Sequence, residues 1–514
     1  MKIRFEHTSI LAFIIVAYIL LPVMNADYLF TIQENNVFIS GHTFMMDIVK
    51  NEGGWVAWAA CYLTQFFYHP WLGSTILIVF WVAIYVLTLH LFSIKDKFSP
   101  IALILPAILL FNLLDYGYWI YYAHTPGFPF QPTLIVLFIL LCATLTHPLF
   151  RRIKHGKFLS NALPIELCII FLAVSTLTIW NPKKKNILNN HQNAILTTLK
   201  DKNFKHEMRM YRAIDESRYE DVLSEMKDLK EPPTNLMVLM KNIALMHTGR
   251  LTEMFKTNNC GIMPETGDSL HLHISQLAAP LIYYQFGQIN YAYRWAMGNS
   301  VKYGQSFRNL KMMIRYAIFN QEFDLAAKYL SMLKTSIYYK DWAKEREAWL
   351  TSSTLFIQSK EFQNIAPLVN DEANSLDYDE GLCEKYLLEH FSNQLNPNSS
   401  KQEDVIICCS LWNKDAYAFC VHFYDYVQAH PNQAIPELYQ EAAILLGKAE
   451  DSPITLNNFK FDTLVSDKYN NFVNNYNQLL QQGIDEAEMA RRLKPLYGDT
   501  YWWYYYFYTD FNIY

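Results

Sequence analysis

Long apolar stretches are absent after residue 182 of this chain, and charges are scarce before it. The first 182 residues carry a net charge of about +1 and the rest about −6, so neither part has the clustered cations that nucleic-acid phosphates require. The eight cysteines are irregularly spaced and do not indicate a disulfide framework. No Gly-rich phosphate loop, GxSxG elbow or HExxH pair occurs, so we expect no metal site and no cofactor.

Apolar runs fill the first 181 residues, and a helix needs roughly 17–25 residues to cross the hydrocarbon core of a bilayer. A further run at residues 55–68 is too short to span comfortably and is predicted to be an interfacial or re-entrant helix. The chain is therefore predicted to be all-α, with a transmembrane helical bundle at residues 1–182 followed by a soluble domain at residues 186–514. The predicted spans, of which the third is the shortest, are residues 8–25, 71–94, 100–114, 132–150 and 163–181.

The orientation of these spans follows from the short loops, because cytoplasmic loops hold an excess of Lys and Arg. Cations lie before the first span and in the loops after the second and fourth, which predicts a cytoplasmic N terminus. Five spans then place the soluble domain outside the cytoplasm. The cluster Lys183–Lys185 opposes this orientation, and counting residues 55–68 as a span would reverse it. The orienting cations are Lys2, Arg4, Lys95, Lys97, Arg151, Arg152, Lys154 and Lys157.

An internal repeat is visible in the soluble domain. The segment FGQINYAYRWAM, with Gly287, recurs as FNQEFDLAAKYL, with Gln321, after 34 residues, which is the period of a tetratricopeptide repeat. A small or polar residue is expected at the turn between two helices, and a small residue five positions later where the helices approach closely. We therefore predict a tetratricopeptide-like solenoid of helical hairpins. Weaker copies occur at Ser217/Tyr219/Val222, Gly249/Leu251/Met254 and Lys360/Phe362/Ile365.

Four segments carry a resemblance to a known family. They are LTQFFYHPWLG (Leu63–Gly73), YYQFGQINYAYRWAM, the long run RNLKMMIRYAIFNQEFDLAAKYLSMLKTSIYYKDWA (Arg308–Ala343) and the terminal YWWYYYF. The chain resembles an uncharacterised family of Gram-negative bacterial multi-pass membrane proteins with a tetratricopeptide-like C-terminal domain. The resemblance implies a Gram-negative envelope setting, with no activity and no functional residues. Together with the loop charges, it predicts an inner-membrane protein whose C-terminal domain lies in the periplasm.

Acidic residues near the membrane are the candidate catalytic residues. Asp27, Glu34 and Asp47 lie in the first external loop, where membrane glycosyltransferases that use polyprenyl-phosphate sugars carry a catalytic or metal-binding acid, and Asp27 is closest to the membrane. Asp115 ends the third span, and intramembrane acids are functional candidates. In each case the alternative is an ordinary solvated carboxylate. A transporter is disfavoured because the spans show no internal repeat.

Aromatic residues are frequent in the repeats, and Tyr and Trp often dominate binding surfaces. Tyr283, Tyr284, Tyr291 and Tyr293 are the candidate binding residues, although repeat cores also use such residues. The sequence thus favours a membrane-anchored interaction scaffold over an enzyme, with the lipid bilayer and a protein or peptide as partners and no nucleic acid. The alternative is a glycosyltransferase-like membrane transferase that uses the acids of the first external loop.

Overall fold

The computed structural model describes residues 5–51, 54–117, 120, 126–152, 202–257, 261, 269–369, 387, 390–448 and 454–508. Within these ranges the regular secondary structure is helical and contains no β-strand, which confirms the prediction of an all-α chain. The helices before residue 216 are α1 (Phe5–Tyr18), α2 (Ala26–Asn35), α3 (His42–Asn51), α4 (Gly54–Thr64), α5 (Pro70–Leu91), α6 (Ile104–Tyr116), α7 (Phe130–Arg152) and α8 (Lys202–Asp215).

The remaining described helices are shorter on average and more polar. They are α9 (Tyr219–Lys227), α10 (Asn235–His247), α11 (Ser269–Gln285), α12 (Ile289–Tyr303), α13 (Phe307–Phe319), α14 (Phe323–Leu333), α15 (Lys340–Thr351), α16 (Ser353–Ile357), α17 (Lys360–Ile365), α18 (Ser400–Trp412), α19 (Ala416–Ala429), α20 (Glu437–Gly447), α21 (Thr463–Gln481), α22 (Glu486–Tyr497) and α23 (Tyr501–Phe507).

The chain forms two compact units. Unit 1 contains Met1–Met208 and Ala296–Ser352, and unit 2 contains Arg209–Trp295 and Ser353–Tyr514. In unit 1, α5 packs on α1, α6 and α7, and α13 packs on α2 and α14. In unit 2, α9 packs on α10, α18 on α19, and α20 on α21 and α23. The domain boundary predicted near residue 182 lies outside the described residues.

Three helical segments are long and apolar enough to cross a membrane, namely Phe5–Val23, Pro70–Leu91 and Asp96–Tyr116. The third is longer than the predicted span at 100–114, because a 3₁₀ segment from Asp96 leads directly into α6. Pro100 lies within that segment, where a residue without a backbone N–H is tolerated near a helix start.

The fourth and fifth predicted spans, residues 132–150 and 163–181, are not among the helices that are long and apolar enough to cross a membrane in the described part of the chain. Phe130–Thr146 is an apolar helix of fewer residues, and residues 163–181 lie outside the described residues. Residues 55–68 form most of α4 and a 3₁₀ turn at Gln65–Tyr68. Ala57 and Ala60 of α4 are fully buried, and α4 packs on α3 and α7.

The same turn follows a helix at seven places among the described residues, each with a left-handed residue after the helix. The N–H of that residue bonds the carbonyl three positions earlier, and the next N–H bonds the carbonyl five positions before it, which is a Schellman motif. At Gln321, for example, φ is 59° and the bonds reach Ile318 O and Ala317 O at 3.1 and 2.8 Å. The left-handed residues of these turns are Ser93, Ser217, Gly249, Gly287, Gln321, Lys414 and Gly483.

Four of these seven turns lie at predicted repeat positions, and those at Ser93 and Gly483 were not predicted. The predicted copy at Lys360 differs, because Lys360 begins α17 and Ser359 caps that helix through Phe362 N at 3.1 Å. The turn at Lys414 was not predicted, since a lysine with positive φ is uncommon. Its Nζ donates to the carbonyl oxygens of Tyr505 and Tyr508, so its side chain anchors the left-handed backbone.

Gly287 meets two requirements at once. Its φ is 75°, and a Cβ atom there would lie 2.5 Å from the backbone carbon of Leu368. The small residue five positions after the turn is likewise buried in two copies, with Ala292 1% and Ala326 0% exposed. The burial expected at this position is therefore present in both copies, and α13 and α14 pack closely in the second.

Ala326→Trp tests this packing, because the new ring would overpack α14 against α13 and α15. We expect it to lower the free energy of unfolding by about 1–3 kcal/mol. Ala327→Trp is the matched control, since Ala327 is exposed on the same helix and should tolerate the ring. Thermal unfolding of both variants in detergent micelles measures the difference, and equal melting curves would contradict the packing.

Candidate functional site

The segment directly after the first apolar helix is polar and yet buried. Helix α2 begins at Ala26, and Asp27 in its first turn favours the helix start through the helix dipole. In its last turn, Gln33 is 0% and Glu34 4% exposed. Burying a carboxylate costs free energy unless the charge is paired. The partners of Glu34 therefore determine its role.

Glu34 is held by two cations of α13. Its Oε2 lies 3.2 Å from Arg308 Nη2 and its Oε1 lies 3.1 Å from Lys311 Nζ. The two cations are three residues apart, which places them on one face of α13. Their side chains are 9% and 7% exposed. Both carboxylate oxygens are therefore engaged by charged donors in a buried cluster, which we call the Glu34 cluster (Glu34, Arg308, Lys311).

A side-chain cap and an aromatic contact determine where α13 begins. Ser306 is its N-cap in extended conformation and accepts a hydrogen bond from Asn309 N at 3.1 Å. Phe307 is fully buried against the Tyr339 ring at 4.4 Å. Lys311 Nζ lies 5.7 Å from the centre of the same Tyr339 ring. The cap and the aromatic contact thus fix the register in which the cations face α2.

Amide groups extend the cluster into a buried hydrogen-bond network. Tyr339 Oη donates to Gln33 Oε1 at 3.0 Å, and Gln33 Nε2 donates to Gln65 Oε1 at 3.1 Å. Gln65 Nε2 in turn donates to Asn36 O at 2.6 Å, and Asn36 Oδ1 accepts from Gly127 N at 2.7 Å. Buried polar networks of this kind rigidify a core when their members are satisfied.

This geometry suits a structural role better than proton transfer. A general base must present an oxygen to a substrate, whereas both oxygens of Glu34 accept from cations. Breaking such a pair would leave buried charges uncompensated. We therefore assign Glu34 as the residue that holds α2 against α13.

The other candidate acids lie elsewhere in unit 1. Asp27 is seven residues before Glu34 on the same helix, which is about 10 Å along its axis. Asp47 is exposed on α3, and Asp115 is partly buried in the last turn of α6. No three His, Cys, Asp or Glu side chains of the described ranges are grouped so as to hold a metal ion.

The candidate binding tyrosines are mainly packing residues of unit 2. Tyr283 and Tyr291 are 3% and 2% exposed and stack at 5.3 Å, and Tyr284, 1% exposed, donates to Glu361 Oε1 at 2.7 Å. Tyr293 is partly exposed. Three of the four rings are therefore accounted for by the core, and Tyr293 is the one that a partner could contact directly.

A second, partly buried polar cluster lies in unit 2 and was not predicted. Lys401 Nζ lies 2.7 Å from His247 Nδ1 and donates to Asn364 O at 2.9 Å. The His247 ring stacks on Tyr219 at 4.6 Å. Burial lowers the pKa of Lys401 to about 8, and burial together with Lys401 lowers the pKa of His247 well below its usual range. These bonds connect four helices, α9, α10, α17 and α18.

The residues that complete the Glu34 cluster were also missed from the sequence. One signal was available: Arg308, Lys311 and Arg315 recur at spacings of three and four in a helix that is otherwise largely apolar. Such a cationic stripe among apolar residues predicts a buried face that needs an acid. All three side chains are in fact buried.

The chain matches a family of unknown function, DUF6057, over residues 1–165 and 120–508. It belongs to this family. The match covers most residues of both compact units. No curated protein and no solved structure matches the chain.

Glu34→Gln tests the structural role of the Glu34 cluster. It would leave Arg308 and Lys311 buried without their carboxylate, and we expect a loss of about 3–5 kcal/mol in the free energy of unfolding. Glu347→Gln is the matched control in unit 1, because Glu347 pairs with Lys334 at 2.8 Å on the surface and should cost at most about 1 kcal/mol. Chemical unfolding in micelles gives both values, and similar losses would refute the assignment.

Proposed function

We propose that this protein is a multi-pass inner-membrane scaffold whose tetratricopeptide-like helical hairpins bind a protein or peptide partner. The repeated Schellman turn is the observation that carries the proposal. Six turns after residue 200 share one hydrogen-bond pattern, which supports a hairpin unit used repeatedly, and stacked helical hairpins are commonly binding scaffolds. The membrane half would tether that binding region to the bilayer.

Surface composition supports the membrane anchor. Large apolar side chains are more than half exposed on each of the three long apolar segments, including Leu11, Val79 and Phe111, and Leu145 on α7 is 71% exposed. Soluble monomers rarely expose contiguous apolar surface on this scale. Hydrocarbon is the environment in which such side chains are stable.

Exposed aromatic and apolar side chains on the second helices of two hairpins are candidate contacts for the partner. Tyr417, on α19, is 78% exposed, and Phe323, on α14, is 45% exposed. Each lies within three residues of a left-handed turn residue, Lys414 and Gln321 respectively. Aromatic residues in such positions can supply binding energy when a partner covers them.

The alternative, a glycosyltransferase-like membrane transferase, loses one of its acids at the Glu34 cluster. It would have to rely on Asp27, Asp47 and Asp115. Substitution of these three residues therefore distinguishes the scaffold from the transferase.

Replacing Asp27, Asp47 and Asp115 together by Asn should leave a scaffold functional. We expect the triple variant to complement a deletion strain as well as the wild-type chain. Tyr417→Ser combined with Phe323→Ser should complement poorly, because it removes contact surface and little core. Membrane extraction and circular dichroism confirm insertion and folding. An inserted, folded and inactive triple variant would favour the transferase instead.

The proposed orientation places the N terminus in the cytoplasm and everything after residue 186 in the periplasm. Alkaline phosphatase fused after residue 200 or after Tyr514 should be active, because this enzyme is active only outside the cytoplasm. A fusion within the short loop at Lys95–Lys97 should be inactive and serves as the control. Inactive fusions at both distal points would show that residues 55–68 cross the membrane and that the partner is cytoplasmic.

A further inference from the structure

Helices α3 and α4 of unit 1, which we call the α3–α4 pair, have two exposed faces of different character. On α4, Trp55 is 61% and Tyr62 41% exposed, and both lie on the side of the helix away from its buried residues. On α3, the exposed residues Thr43, Asp47 and Lys50 recur at spacings of four and three and therefore share one face. One exposed face of the pair is thus aromatic, and the other is polar.

A shared core separates these two faces. Phe38, Ile48, Ala57 and Cys61 form one buried cluster. Ile48 belongs to α3, whereas Ala57 and Cys61 belong to α4, so each helix packs its apolar inner side against the other. The aromatic face and the polar face therefore lie on opposite sides of the pair.

The α3–α4 pair lies at one end of the long apolar segments. Helices α1 and α5 are antiparallel, because backbone N–H groups at the start of α1 donate to Asp96, which follows α5, while Tyr18 Oη near the end of α1 lies 2.7 Å from Thr75 Oγ1 near the start of α5. Helix α4 leads through the 3₁₀ turn Gln65–Tyr68 into this start of α5. Trp71 at the same place stacks on Tyr18 at 6.3 Å. Aromatic side chains therefore gather at this end, as they do where a membrane meets water.

Close packing holds the pair against the apolar helices. Helix α4 packs on α7, and a Cβ atom at Gly127, shortly before α7, would lie 2.3 Å from Ala60 Cβ. Phe67 of the 3₁₀ turn is fully buried, and its ring lies 5.4 Å from that of Phe130 at the start of α7. The aromatic face of α4 is therefore fixed in position relative to these helices.

The absence of charge favours lipid as the partner of the aromatic face. Residues 53–94 contain no Asp, Glu, Lys or Arg, so the chain passes from α4 into the apolar helix α5 without a charged side chain. A face that binds a soluble protein normally has a polar, solvent-accessible rim. Helix α4 has 11 residues and is about 16 Å long, which is about half the thickness of the hydrocarbon core. A helix of this length and composition fits the surface of a bilayer.

We propose that the α3–α4 pair lies in the membrane–water interface of the periplasmic leaflet, with Trp55 and Tyr62 among the lipid headgroups and Asp47 and Lys50 in water. The proposal rests on the proposed membrane anchor and its orientation, which places the end of α1 outside the cytoplasm. Trp and Tyr suit this depth because each joins an apolar ring to a polar hydrogen-bonding group. Since the charges of Asp47 and Lys50 balance, the pair binds zwitterionic phospholipid and needs no anionic lipid.

The test measures the depth of single positions of the full chain in lipid nanodiscs. p-Azidophenylalanine replaces Tyr62, Val79 or Lys50 in separate variants and is coupled to the fluorophore NBD. The quenchers are phospholipids with a nitroxide close to the headgroup, phospholipids with a nitroxide in the middle of the acyl chain, and iodide in water. Val79, 59% exposed near the middle of α5, is the deep reference, and Lys50 is the matched position on the polar face.

We expect the label at position 62 to be quenched about twofold or more better by the nitroxide close to the headgroup than by the one in the middle of the chain, because interfacial helices lie at the headgroup boundary. The label at position 79 should show the reverse order. The label at position 50 should be quenched by iodide and little by either lipid. Adding phosphatidylglycerol to phosphatidylcholine nanodiscs should leave all three patterns unchanged.

Intrinsic fluorescence provides a second measurement that needs only conservative changes. Trp55→Phe should lower the tryptophan intensity that brominated phospholipid quenches, because the ring of Trp55 lies among the lipids in this proposal. Trp412→Phe is the matched control, since Trp412 is 5% exposed in unit 2 and its loss should leave the quenched intensity unchanged.

Quenching of the label at position 62 by iodide alone, or the same quenched intensity in Trp55→Phe as in the wild-type chain, would overturn the proposal in favour of a face that meets water or a soluble partner. The depth pattern of position 79 at position 62 would also overturn it, since α4 would then enter the hydrocarbon. A requirement for phosphatidylglycerol would overturn the choice of zwitterionic lipid. Quenching of position 79 by iodide and by neither lipid would instead refute the membrane anchor, so the two proposals fail separately.

Discussion

The buried carboxylate of Glu34 constrains unit 1 more than any other single group. It lies directly after the first apolar helix, and its two cations come from a helix more than 270 residues later in the chain. Because a buried carboxylate is stable only while it remains paired, α2 and α13 must stay together. The Ser306 cap, the Tyr339 ring and the amides of Gln33 and Gln65 all serve this arrangement. The ion pairs also engage the oxygens that a catalytic base would need.

Most of the predicted hairpin turns could be recognised in the sequence, because short local motifs specify them. The motif predicts a small or polar residue at each turn, and the predicted turn residues Ser217, Gly249, Gly287 and Gln321 all have the left-handed conformation. Lys414 escaped detection because its conformation depends on carbonyl groups about 90 residues away. The first three apolar segments were equally evident, since hydropathy and length decide them. The stacking of the hairpins into a solenoid stays a proposal.

The Glu34 cluster was harder to predict from the sequence, because pairing between distant residues leaves no local sequence pattern. Glu34 was predicted as an acid of the first external loop because it follows the first span. Its pairing with Arg308 and Lys311 depends on tertiary contacts, which the sequence does not show. Tyr283 and Tyr284 were chosen for their side-chain type, and burial, which a lone sequence shows poorly, decides their role. The apolar helices and the hairpin turns thus follow from the sequence, whereas the pairing of Glu34 follows from tertiary contacts.

The central claim is that Glu34 acts by holding α2 to α13 and performs no catalysis. Exchanging the charges, with Glu34→Lys combined with Lys311→Glu, tests it most directly in a deletion strain. Each single variant should be unstable because it buries uncompensated charge, and the double variant should regain both folding and cellular function. A double variant that is folded, inserted and inactive would contradict the account, since only a carboxylate needed at position 34 for chemistry would explain that result.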